Sequence, residues 1–110
     1  MRLYDLAHAR AGDKGDISDI SVIAYDLDHF EHLRRHLTAD RVRIYFGEMV
    51  RGAIDRYEMP ALGALKFVLH EALGGGVTRS LSLDSHGKTL SYSLLDLDLP
   101  DLPDDTETLS

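Results

Sequence analysis

The hydrophobic period of this 110-residue chain changes near Tyr25, and that change constrains the fold more than any other feature. Before it, Leu3, Asp5 and Ala7 alternate with Tyr4, Leu6 and His8, and Ile17, Ile20, Val22 and Ile23 form a β-branched run without a helical stripe. Both stretches are predicted as strands, residues 2–9 and 17–25. After it, Phe30, Leu33 and Leu37 fall at helical spacing, and Val42, Tyr45, Phe46 and Met49 repeat the pattern behind Thr38, a residue suited to cap a helix. Gly47 is placed to end that second helix. Residues 53–59 return to alternation and stop at Pro60, as a strand does.

The last third reads less simply. Leu62, Leu65, Val68, Leu69, Ala72 and Leu73 form a wide apolar stripe that predicts a buried helix running into Gly74-Gly75-Gly76. Val77–Leu83 and Lys88–Leu99 flank Asp84-Ser85-His86-Gly87 and are predicted as a hairpin. The order β, β, α, α, β, α, β, β predicts an α+β two-layer sandwich, a mostly antiparallel sheet with helices on one face. One domain over residues 1–99 is expected, followed by an acidic, disordered tail over 100–110.

Charge narrows the partners. Six of the 19 Asp and Glu residues lie in the last fifteen positions, leaving thirteen against all twelve Lys and Arg, so residues 1–95 carry a net charge of −1. A nucleic-acid site needs a clustered basic face, so no nucleic acid is expected as partner. There is no cysteine, which excludes disulfides and thiolate chemistry. No run approaches the roughly 18 apolar residues of a membrane span, and a cytoplasmic protein with no membrane partner is expected.

Chemistry concentrates in one segment. Arg10-Ala11-Gly12-Asp13-Lys14-Gly15-Asp16 packs two glycines and four charges into seven residues. Read as a loop, it lets successive backbone N–H groups converge on an anion, with Lys14 or Arg10 supplying charge. It lacks the GxxxxGK frame of a nucleotide loop, and a plain charged turn fits the same composition. His29, His32 and His36 share one helical face, but beside Arg34 and Arg35 and without a HExxH frame they read as a solvated surface. Ser80, Ser82, Ser91 and Ser93 are spaced as solvent-facing strand positions and form no nucleophile elbow. No metal site and no cofactor are expected. His70, one turn beyond Lys66, is the histidine best placed for proton transfer.

Three motifs in order carry a resemblance: Ala9-Arg10-Ala11-Gly12-Asp13-Lys14-Gly15-Asp16 with the strand Ile20–Ile23; Arg56-Tyr57-Glu58-Met59-Pro60; and Leu65-Lys66-Phe67-Val68-Leu69 leading to Leu73-Gly74-Gly75-Gly76. From Leu3 to Leu99 the chain resembles the C-terminal, ferredoxin-like domain of the acyclic terpene utilisation protein A family, here as a small stand-alone member. The resemblance implies a ferredoxin-like α+β domain in the degradation of terpenoids and branched acids as CoA thioesters. It implies as partners a larger protein of the same family, a homo-oligomeric copy, and a CoA thioester or other small anion. Carried onto this chain, the ligand-binding residues are Arg10, Gly12, Asp13, Lys14, Gly15, Gly75 and Gly76, with Arg79 near them. Family members often have Asn where this chain has Asp19 and Ala61, and the change removes hydrogen-bond donors. Three readings follow: an accessory module sharing its anion site with a larger partner, a hydratase- or lyase-type enzyme, and a structural domain that self-associates through edge strands.

Overall fold

The structure, a computed structural model, describes residues 1–15, 17–72 and 86–103. Four strands, β1 (Ala7–Lys14), β2 (Ile17–Ala24), β3 (Ile54–Met59) and β4 (Ala64–Leu69), form one antiparallel sheet in the order β1-β2-β4-β3. Helices α1 (Phe30–His36) and α2 (Ala39–Phe46) connect β2 to β3, and α3 (His86–Leu94) follows β4. All three lie on one side of the sheet, α3 against β1 and β2, α2 against β3 and α1 against β4. The expected two-layer α+β architecture is therefore present. Among the described residues the order is ββααββα; with α1 and α2 taken as one connection, it is the ferredoxin-like βαββαβ pattern with the last strand moved to the front.

Local chemistry explains the elements. Thr38 Oγ1 accepts from Arg41 N at 3.1 Å and starts α2, and Gly47, at φ +58°, stops it as expected. The β1–β2 pairing runs out to Lys14 and Ile17, and the chain leaves β1 through Gly15 at φ +66°, the sign that tight hairpin turns require. Arg56 of β3 ties α1 to the sheet. Its Nε donates to Leu37 O at 3.0 Å and its guanidinium to Arg34 O at 2.5 Å, satisfying carbonyls that the helix end leaves free. Arg43 does the same for the next connection, donating to the carbonyls of Val50 and Gly52.

Three predicted elements are replaced. Residues 2–9 are not one strand: Leu3–Asp5 is a 3-10 turn, and β1 begins only at Ala7. Leu62–Leu73 is not a helix: Pro60–Leu62 is a single 3-10 turn, Gly63 takes φ +63°, and Ala64–Leu69 is a strand paired on both edges. Leu65, Phe67 and Leu69 alternate into the core, a period-two pattern inside the stripe that also fits period 3.6. Lys88–Leu99 is not a strand but begins inside α3, where Leu90 and Leu94 are buried four residues apart and Ser91 is buried with them. The Val77–Leu83 half of the predicted hairpin lies outside the described residues.

The core lies between the helices and the inner residues of the strands: Ile20, Val22, Leu65, Phe67 and Leu69 from the sheet meet Leu33 and Leu37, among others, from the helical layer. Packing continues past residue 99. Pro100 O lies 2.7 Å from His32 Nε2, Asp101 pairs with the N-terminal amine at 2.8 Å, and Leu102 packs on the core. Residues 100–103 thus belong with the domain, and 104–110 lie outside the described residues.

Candidate functional site

The segment expected to be a loop is a strand. Arg10, Gly12, Asp13 and Lys14 all belong to β1, in register with Ser21, Asp19, Ser18 and Ile17 of β2. Only Gly15 is in the turn. A nest of converging amides is therefore absent, because an extended backbone points successive N–H groups in opposite directions. Side chains replace the amides. Period two sends Arg10, Gly12 and Lys14 to the sheet face that α1, α2 and α3 leave uncovered.

On that face the pairing lines up rows across the four strands. His8, Ile23, Ala64 and Met59 form a largely apolar row. Arg10, Ser21, Lys66 and Tyr57 form the next, a cationic row with two hydroxyls. Gly12, Asp19, Val68 and Asp55 form an acidic one, and Lys14 with Ile17 lies beyond it. Arg10 and Lys66 flank Ser21 on adjoining strands, so their Cα atoms stand roughly 10 Å apart, a span that two long cationic side chains close over one anion. Lys14 sits about 13 Å along β1 from Arg10. Among the described residues, none of Arg10, Lys14 and Lys66 has an ion-pair partner.

Gly12 lies beside the Asp19 carboxylate: a Cβ at this position would lie 3.4 Å from Asp19 Oδ2, in van der Waals contact. Asp19 thus puts an acid in the middle of the open face. Ala61 is exposed in the 3-10 turn beyond β3, away from these rows. Past the end of β4, His70 Nε2 lies 2.9 Å from Asp55 Oδ2, a half-exposed pair at the border of the acidic row. Its backbone is fixed by Gly52, where a Cβ would come within 2.7 Å of His70 O.

A second polar cluster lies on the other layer. A groove of about 640 Å³ opens between α1 and residues 101–103, with His29, His32, His36, Glu31 and Asp101 on its walls. The solvated-face expectation for these histidines is corrected at His32, which is 9% exposed and held by Pro100 O. Its ring stands 4.5 Å from that of His36, and burial, then the neighbouring His32, push the His36 pKa down. Among the described residues no group of three His, Asp or Glu side chains is arranged to hold a metal.

Gly75, Gly76 and Arg79 lie outside the described residues. Lys66, Ser21, Tyr57 and Asp55 are the members of the open face that the sequence reading passed over. The missing signal was the period of residues 64–69: taken as a strand, Lys66 falls beside Ser21 and hence beside Arg10. Among the described residues no helix is long and apolar enough to cross a membrane. Residues 1–100 match the AtuA ferredoxin-like domain. No curated protein and no solved structure matches the chain.

Proposed function

The chain belongs to the AtuA ferredoxin-like domain family, and from that premise we propose that it is a small accessory binding module of terpenoid and branched acyl-CoA catabolism. Its open sheet face holds the anionic part of a ligand through Arg10 and Lys14, in a site completed by a partner, and it works alongside a larger protein of the same family. One observation carries the reading: three cations stand without a carboxylate partner among the described residues, on the sheet face opposite α1, α2 and α3. Cations left unpaired cost little while solvated and are available to phosphate or carboxylate oxygens.

Thermal unfolding with phosphate, CoA, short branched acyl-CoAs and dicarboxylates tests it. At ten times the dissociation constant a bound ligand stabilises by about 1.4 kcal/mol, which moves the midpoint of a domain this size by several degrees. The shift is expected with the wild type and lost in Lys14→Ala; no shift with any of these anions overturns the reading.

The Asp55–His70 pair favours a second reading, an enzyme of hydratase or lyase type acting on an acyl-CoA. A neutral His70 donating Nε2–H to Asp55 keeps the lone pair of Nδ1 for proton abstraction. Turnover by the isolated chain that disappears in His70→Gln is its signature.

A further inference from the structure

We infer that the partner completing this face is a second copy of the chain, packed sheet against sheet across a two-fold axis that runs along the hydrogen-bond direction between the cationic and acidic rows. The inference rests on the anion-binding reading for what the assembly does, but its geometry stands on the rows alone.

Charge complementarity selects this arrangement. A two-fold axis parallel to the strands reverses the strand order but stacks each row on its own copy, crowding four cations into one layer and four carboxylates into the next, which interfaces avoid. An axis along the rows keeps each strand over its own copy, antiparallel, and shifts the row opposite. Lys66 then faces Val68 of the other copy, the residue flanked across the sheet by Asp19 and Asp55. Ser21 faces Asp19, and Tyr57 faces Asp55. The outer rows agree as well: Ile23 meets Ile17, both on β2, and Ile17 is among the exposed large hydrophobic side chains of the monomer, as is Tyr57 at 52%. Facing sheets keep their strands nearly aligned, which this axis preserves.

The face is large enough. Two strands of eight residues and two of six, about 4.8 Å apart with about 3.3 Å per residue, give roughly 440 Å² per copy, the size of a weak, reversible dimer. β1, the strand carrying the anion residues, is an edge strand of the sheet. Along the paired β1 edges, Arg10 faces Gly12 of the other copy and Lys14 faces its His8. The result is a cationic cleft to which both copies contribute, with glycine leaving room at its centre. Lys66 and Asp19 hold the two copies together; Arg10 and Lys14 remain at the rim for the ligand.

Sedimentation equilibrium of the full chain between 1 and 100 µM tests this. The wild type is expected to dimerise. Lys66→Glu and Asp19→Lys should each weaken the dimer at least tenfold, and the double variant, with both charges exchanged, should recover most of that loss. Circular dichroism and thermal unfolding of each variant separate dissociation from misfolding, and Ile17→Asp gives an independent break at the apolar contact. A wild type monomeric at 100 µM overturns the inference. So does a dimer indifferent to all these variants, which would place the contact on the β1 or β3 edge instead. A dimer that behaves as expected but gives no thermal shift with any anion upholds this inference and overturns the anion-binding reading, so the two fail separately.

Discussion

Alternate residues of the same two central strands meet opposite conditions. Ile20 and Val22 of β2 and Leu65, Phe67 and Leu69 of β4 are fully buried under the helices, while Asp19, Ser21, Lys66 and Val68 between them stay partly exposed on the open face. One face is saturated with apolar contacts, and on the other Arg10, Lys14 and Lys66 stand without ion-pair partners among the described residues. Stability therefore rests on one set of positions, and recognition is free to change on the other at small cost to the fold. The sharpest test is at adjacent residues. Phe67→Ala should cost about 3–5 kcal/mol, a large share of what a domain this size has, whereas Lys66→Ala should stay within about 0.5 kcal/mol. Urea unfolding at sub-micromolar concentration, where self-association does not enter, measures both. Equal costs would mean that the faces do not divide as described.

Arg56 is a polar residue on the helical side whose removal sharpens the contrast. It is 19% exposed, pairs with Glu58 Oε2 at 3.0 Å, and spends its other donors on the carbonyls ending α1. Arg56→Ala leaves those carbonyls unsatisfied near the core and should cost about 2 kcal/mol. Arg56→Lys should recover only part, since an ammonium lacks the planar fork that reaches two acceptors. Glu58→Ala, which removes only a partly exposed ion pair, should cost under about 0.5 kcal/mol. A loss from Glu58→Ala as large as from Arg56→Ala would shift the role from helix capping to the ion pair.

The same division explains what the sequence revealed. Elements with a single period and a clear stop were legible: α2 between Thr38 and Gly47, and β3 ending at Pro60. β4 was not, because a central strand must be apolar enough for the core and acquires its register only from β2 and β3, partners distant in sequence. Leu90 and Leu94 likewise fit a strand or a helix, and packing against β1 decides for the helix. For the site, Arg10 and Lys14 stood out by composition, but Lys66 becomes their neighbour only through the sheet. Misreading β4 as a helix hid that row, and misreading β1 as a loop put backbone amides where side chains do the work.

The smallest expected effect concerns the other layer, where the groove beside α1 gives the helical side titratable groups of its own. His36 faces His32, with Arg35 and Arg41 near, and Glu31 and Asp101 on the groove walls. Burial first, then the cationic neighbours, hold its pKa below the ordinary 6.5. The unfolded chain therefore takes up this proton at a higher pH than the folded one, and stability present above 6.5 declines as pH falls through the interval below it. A shallow fall in thermal midpoint between pH 7 and 5.5 should follow, and His36→Gln should flatten it. Asp101, whose pKa the N-terminal amine lowers by hydrogen bonding, contributes in the same direction but in a more acid range, so Asp101→Asn should leave this slope in place. A slope that survives His36→Gln and vanishes in His70→Gln would move the pH response from the helical layer to the open face.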